Sequence, residues 1–237
     1  MTIYVFDMDG TLTPPRKAME KDFAERFLKW QQTHKSFIAT GSDYLKVEEQ
    51  LPPEIINAFT GLYTSMGNVL TAQGQQIYQH NFKTDLRLLA QLEQYRQNTN
   101  YDGAVYPNYI EERIGMINFS VLGRDCPYEA REKYNAWDKI AHERETIARQ
   151  LRQAFPQYEI SVGGSISIDI TPQGRSKGQI AAHLRAHYPD EKIVFFGDKT
   201  FSGGNDYELA QALRQLTNTE IVQIEGPADV LSYLNLV

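Results

Sequence analysis

Ile3-Tyr4-Val5-Phe6-Asp7-Met8-Asp9-Gly10-Thr11-Leu12-Thr13 holds a short, unbroken apolar run that ends on two carboxylates one residue apart. A run that is apolar at consecutive positions predicts a strand buried on both faces, as in the middle of a parallel sheet. Ligands of open α/β sheets sit beyond the carboxyl ends of such strands, so Asp7 and Asp9 stand at the mouth of a candidate site. Gly10 follows the pair and lets the backbone turn sharply and approach a ligand closely. Asp and Gly also form ordinary turns, and these residues alone do not separate a strand-ending turn from a catalytic pair.

Working outward, Met19, Phe23, Phe27 and Trp30 recur at helical spacing, and Ser36-Phe37-Ile38-Ala39 predicts a second strand ending at Thr40-Gly41-Ser42-Asp43. Strand, helix, strand is the opening of a parallel sheet. Far along the chain, Ile193-Val194-Phe195-Phe196 repeats the pattern and leads into Gly197-Asp198-Lys199-Thr200 and a Gly203-Gly204 turn. Leu209, Leu213 and Leu216 share the face of a following helix, with Asn205 or Asp206 as its cap. Ile221-Val222-Gln223-Ile224 and a helix led by Pro227 close the chain.

The middle differs. Ile117, Phe119 and Val121 alternate with Asn118 and Ser120, and Ile166, Ile168 and Ile170 alternate with Ser165, Ser167 and Asp169, the period of strands with one wet face. The charged stretch from Tyr128 to Phe155, with Ile140, Ile147, Leu151 and Phe155 roughly in phase, predicts helical cover for their apolar face. The expected fold is α/β: a discontinuous parallel-sheet core from residues 1–80 and 176–237, with an inserted α+β domain, an antiparallel sheet covered by helices, over 81–175.

Composition narrows the function classes. A formal net charge of -6 supplies no general attraction to nucleic acid or anionic membranes, so neither is an expected partner. No apolar run approaches the roughly 18 residues of a membrane span, and the amino terminus lacks signal-peptide order, which predicts a cytoplasmic protein. Cys126, the one cysteine, has no partner for a disulfide and reads as structural. The five histidines show no ligand spacing.

Three strand ends would bring Asp7 and Asp9, Thr40 and Ser42, and Asp198 with Asn205 and Asp206 to one sheet edge. Two like charges about 4 Å apart repel by roughly 4 kcal/mol at an effective dielectric near 20, so such a cluster demands a cation. Oxygen ligands without His or Cys suit Mg²⁺ rather than Zn²⁺. Lys177, at the start of the helix that carries Ile180 and Leu184, adds a candidate positive charge for a phosphate or acyl-phosphate.

This order of residues resembles the haloacid dehalogenase (HAD)-like phosphotransferases. Within them it is most similar to the eukaryotic-type phosphomannomutases, across Asp7–Arg16 (DMDGTLTPPR), Gly41-Ser42-Asp43, Arg113–Cys126 (RIGMINFSVLGRDC), Gly163–Asp169 (GGSISID) and Gly197–Asp206 (GDKTFSGGND). The resemblance implies a HAD-like Rossmannoid core with a substrate-selecting cap. It implies Asp7 as nucleophile, Asp9 as general acid and base, Thr40 or Ser42 with Gly10 and Lys177 around the phosphoryl group, and Mg²⁺ at Asp7, Asp9, Asp198, Asn205 and Asp206. Arg113, Arg124 and Arg131 match the distal-phosphate arginines and Arg16 a substrate-side position. Ser167 and Asp169 match sugar-hydroxyl ligands, helped by the backbone at Gly115, Met116 and Gly164. Without the resemblance, Arg124 and Arg131 read as surface ion pairs with Asp125, Glu129 and Glu132.

The implied activity interconverts mannose 6-phosphate and mannose 1-phosphate through an aspartyl-phosphate, with a hexose 1,6-bisphosphate as activator, in a homodimer joined through the cap. The chain departs from the family pattern near the hinge, where Met66-Gly67-Asn68 stands for Glu-Asn-Gly and Arg175-Ser176 for Trp-Asp. Both bear on cap closure, since water must be kept from an aspartyl-phosphate. A sugar-phosphate phosphatase is therefore the alternative, and a non-catalytic sugar-phosphate-binding protein a second one.

Overall fold

The apolar run at the start of the chain becomes β1 (Thr2–Phe6), with strands on both sides and side chains buried on both faces. The structure is a computed structural model and describes residues 1–81 and 83–236. After β1 come α1 (Lys21–Gln31), β2 (Lys35–Ala39), α2 (Tyr44–Gln50), α3 (Pro53–Ala58), β3 (Gly61–Thr64), β4 (Val69–Ala72) and β5 (Gln75–Gln79). An insertion follows with α4 (Leu86–Gln97), β6 (Ile110–Arg113), β7 (Met116–Phe119), α5 (Tyr128–Ala141), α6 (Glu143–Ala154), β8 (Tyr158–Gly163) and β9 (Ser167–Pro172). The chain returns with α7 (Gln179–His187), β10 (Lys192–Gly197), α8 (Tyr207–Arg214), β11 (Thr219–Gln223) and α9 (Pro227–Tyr233). Two compact units result: Met1–His80, Arg175–Ser202 and Asp206–Val237 form the core; Asn81–Gly174 with Gly203–Asn205 form the second unit, here called the cap.

The core sheet runs β11-β10-β1-β2-β3-β4-β5, parallel from β11 to β3 and antiparallel beyond. Alternation along β1 sorts its neighbours onto two sides. Phe6, Ile38, Val194 and Phe196 pack with Phe23, Phe27 and Trp30 of α1, whereas Ile3, Val5, Phe37 and Phe195 pack with Ile180 and Leu184 of α7 and Leu209 and Leu213 of α8. Each such side chain removed from water contributes about 1.5–3 kcal/mol. Within the β4–β5 hairpin, β5 carries no strand signal in the sequence, because it is a polar edge strand with Ile77 exposed.

The cap sheet runs β6-β7-β9-β8, all antiparallel. Its apolar face, with Ile117, Phe119, Ile160, Ile168 and Ile170, packs against Leu88 and Leu92 of α4 and Ile147 and Leu151 of α6. The stretch from Tyr128 to Phe155 is two helices rather than one face in phase. His142 breaks it in the left-handed conformation at φ 53°, so Ile140 ends 83% exposed while Ile147 and Leu151 are buried. No described helix is long and apolar enough to cross a membrane.

Candidate active site

Strand register assembles the core site. Phe6 pairs with both Phe196 and Ile38, so the residues that follow, Asp7, Gly197 and Ala39, emerge side by side from three adjacent parallel strands. The Asp7 N–H donates to Phe196 O at 2.9 Å and Thr40 N–H to Tyr63 O at 2.9 Å, which extends the ladder to the site itself.

Lys177 is fully buried and places Nζ 2.7 Å from Asp7 Oδ1 and 2.6 Å from Asp206 Oδ1. Asp206 occupies the residue before α8 but does not cap it. Its carboxylate is held by Lys177 and, at 3.2 Å, by the Lys199 N–H. Lys199 Nζ pairs with Asp198 Oδ2. Two glycines make room for these groups. A Cβ at Gly10, where φ is +89°, would lie 2.5 Å from Asp198 Oδ2, and one at Gly197 would lie 2.5 Å from Asp206 Oδ2.

Among the described residues, Asp7, Asp198 and Asp206 bring carboxylate oxygens within 4.8 Å of one another. Burial, then the Asp206 carboxylate, push Asp7 up to about 8 against the pull of Lys177. Burial also raises Asp198. Burial alone would strip the proton from Lys177, but Asp206 and Asp7 outweigh it and hold its ammonium above the ordinary lysine value. Three carboxylates thus face two ammonium groups, those of Lys177 and Lys199, and Asp198 Oδ1 is buried without a hydrogen-bond partner. An orphaned acceptor in an all-oxygen donor set fits a hard divalent cation such as Mg²⁺. The Asp9 carboxylate stands outside this cluster and accepts from the Arg16 N–H at 2.8 Å and the Ser42 hydroxyl at 3.4 Å. Thr40 Oγ1 accepts from the Ser42 N–H at 3.1 Å, and the Thr11 hydroxyl lies 3.5 Å from Asp7 Oδ2. Asn205 belongs to the second compact unit, its Oδ1 buried and without a partner.

In the cap, register places Glu111 opposite Asn118, Asn118 opposite Asp169, and Asp169 opposite Ser161, a polar row crossing all four strands. Arg113, Met116 and Ser167 share that face, being two residues from members of the row. Arg113 Nη2 and Arg124 Nε both reach Glu111 Oε2, at 2.8 and 2.6 Å. Arg124 Nη1 also donates to Asn118 Oδ1 and, at 3.1 Å, to Ser167 Oγ, while Asn118 Nδ2 donates to Asp169 Oδ1. Burial raises Asp169, offset in part by Arg113. The wet face expected of β7 and β9 is therefore a partly buried hydrogen-bonded network. Gly115 and Gly164 hold turns at φ 70° and 49°. Gly163 O and Gly164 O accept from Arg144 Nη1, and Arg144 is itself paired with buried Asp138. Arg131 stands outside the network: it is 8% exposed on α5, with Nη1 buried and lacking a hydrogen-bond partner.

A sequence model of the eukaryotic phosphomannomutase family matches residues 23–236. The chain belongs to that family. A phosphomannomutase of Dendrobium officinale is 34% identical over 92% of this chain and 88% of its own, and one of Solanum lycopersicum 33% identical over 99% and 93%. Among solved structures, the C-terminal domain of the C. albicans trehalose-6-phosphate phosphatase superposes with a TM-score of 0.66 at 15% identity, over 99% of this chain and 91% of that one. A HAD subclass IIB sugar phosphatase gives 0.58 at 14%, over the whole of both. These structural likenesses establish the fold of the family member in hand as HAD-like.

Sequence reasoning had not singled out Lys199, Thr11, Glu111, Asn118 or Gly163. Two of them left a trace. Glu111 lies two residues before Arg113, and Asn118 interrupts the apolar alternation of Ile117 and Phe119, so both fall on the polar face once β6 and β7 are recognised as strands. Gly163 opens the GGSISID block, but the block does not tell what the glycine is for: a Cβ there would meet Asp169 Oδ2, a contact made by the β8–β9 register alone.

Proposed function

We propose that this chain interconverts mannose 6-phosphate and mannose 1-phosphate, with a hexose 1,6-bisphosphate as activator. The observation that carries the reading is the pairing, in one family member, of a buried Asp7–Lys177–Asp206 centre with a cap face that presents Arg113 and Arg124 beside Ser167 and Asp169. One centre suits a reacting phosphoryl group, the other a retained phosphate and sugar hydroxyls, because arginine forks bind phosphate bidentately. The partnerless Nη1 of buried Arg131 supports a further anion contact.

In the first half-reaction an Asp7 carboxylate oxygen attacks phosphorus, the bond from phosphorus to the sugar oxygen breaks, and Asp9 gives that oxygen its proton. In the second, Asp9 takes the proton from a hydroxyl of the incoming sugar phosphate. That oxygen attacks the aspartyl-phosphate and releases Asp7. Lys177 neutralises charge on Asp7 and keeps it aimed, and Thr11 and Ser42 offer hydroxyls to the two aspartates. Asp7, Asp198 and Asp206, with the Asp9 carbonyl, would hold Mg²⁺, which supplies charge neutralisation to the transferring group when bound. Glycine at position 10 leaves space for the Asp198 carboxylate.

Phosphorus NMR of the protein with Mg²⁺, mannose 6-phosphate and catalytic bisphosphate tests the reading. Mannose 1-phosphate is the expected product, and stoichiometric inorganic phosphate without it would turn the assignment to a phosphatase. Unchanged turnover in Asp7→Asn would remove the nucleophile. The homodimer belongs to the same proposal, and light scattering at assay concentration checks it.

A further inference from the structure

Glu111 is the unexpected member of the cap network. One of its carboxylate oxygens, Oε2, receives Arg113 Nη2 at 2.8 Å and Arg124 Nε at 2.6 Å. Two guanidinium groups that converge on one oxygen are close enough to repel each other strongly, and both are largely buried, with side chains 10% and 13% exposed, so solvent screens little of that repulsion. The carboxylate cancels it. It also satisfies one edge of each fork, while Asn118 and Ser167 orient Arg124 through Nη1.

We propose that Glu111 is a positioning residue that holds Arg113 and Arg124 together as one pre-organised anion-binding pair. The inference rests on the phosphomannomutase reading for its substrate but not for its geometry. Glu111 offsets one of the two guanidinium charges, so the arginine pair keeps a positive charge for a phosphate dianion without gripping it so tightly that a reorienting intermediate is trapped. Pre-organisation lowers the ordering cost that the two long side chains would otherwise incur at each binding event. The opposite reading makes Glu111 a competitor that the phosphate must displace. The two readings predict opposite signs when the carboxylate is removed.

The test uses Glu111→Ala and Glu111→Gln in the full chain. Loss of a hydrogen bond to a charged group corresponds to about tenfold or more, so Glu111→Ala is expected to raise the KM for mannose 1-phosphate by about that factor, with a smaller change in kcat. Glu111→Gln keeps an acceptor oxygen but not the charge that cancels the repulsion, and is expected to restore only part of the loss. A KM in Glu111→Ala that is unchanged or lower overturns the proposal. An independent arm titrates inorganic phosphate and follows the arginine Nε–H signals of Arg113 and Arg124 by NMR. The two signals are expected to shift with one midpoint in the wild type, and at roughly tenfold higher phosphate in Glu111→Ala. A common midpoint in both proteins, or no shift in the wild type, also overturns it. A wild type that fails to interconvert hexose phosphates refutes the substrate reading, and the phosphate arm then decides the role of Glu111 alone.

Discussion

Replacing Gly163 with alanine adds one methyl group at the end of β8, and the structure says where it goes. The new Cβ would lie 2.3 Å from Asp169 Oδ2 and 2.7 Å from its Cγ, whereas carbon and oxygen in ordinary contact stand about 3.3 Å apart. The carboxylate must therefore move by about 1 Å. It has little freedom to do so, because its Oδ1 is tied to Asn118 Nδ2 and the register holds its backbone between Asn118 and Ser161. If Asp169 binds sugar hydroxyls, the displacement removes a hydrogen bond to a charged group, about 1.5–3 kcal/mol, or roughly 10- to 150-fold in kcat/KM. A loss near 10²-fold is also what a 1 Å misplacement costs in other enzymes. Stability should fall by only about 1–3 kcal/mol, the range for local overpacking.

The assay pairs kcat/KM for mannose 1-phosphate with urea denaturation, and adds Gly163→Ala in an Asp169→Ala background. There the methyl group meets no carboxylate, so the second substitution should cost almost nothing further. Wild-type kcat/KM in Gly163→Ala, or full additivity in the double variant, would refute the link from Gly163 through Asp169 to substrate.

Three more outcomes follow from the same structure. Asp138→Ala leaves the buried Arg144 guanidinium without its carboxylate, and a broken buried pair costs about 3–5 kcal/mol, so chemical denaturation should show a loss of that size. Mg²⁺ should raise the melting temperature of the wild type through binding to the native state, and the rise should vanish in Asp198→Asn, which lacks an anionic oxygen at the orphaned acceptor. Burial, then His187 and His80, hold His183 below the ordinary histidine value, where its Nδ1 pairs with the Tyr63 hydroxyl at 2.8 Å. The unfolded chain therefore takes up the proton first as pH falls below about 6.5, so stability declines there and levels off below the folded value. His183→Gln should flatten that decline in urea melts at pH 7.5 and 5.5, and an unchanged slope would exclude His183 as its source.

Several elements were legible because their causes are local. The consecutive apolar residues of β1 can be satisfied only by burial on both faces, and the strands they predict end on Asp7, Thr40 and Asp198 whatever the rest of the chain does. The alternation around Asn118 and Ser167 likewise reports two faces of a sheet, because side chains reverse direction at every residue. Strand β5 is illegible for the converse reason: a polar edge strand has no face to bury and leaves no pattern. His142 ended a helix by a backbone angle that its side chain does not announce, and Ile140 was turned to solvent with it.

Sequence by itself thus determined the parallel core, the inserted antiparallel sheet and the residue types at the strand-end carboxylates and on the polar face of the cap sheet. Only the tertiary structure decided who touches whom. Lys177 meets Asp7 across 170 positions because α7 and β1 pack in the same unit, and Glu111 joins Arg113 to Arg124 because β6 folds back on β7 and the chain returns past it. Such contacts depend on register and on space, down to the missing Cβ of Gly163, and neither quantity is carried by any one stretch of chain.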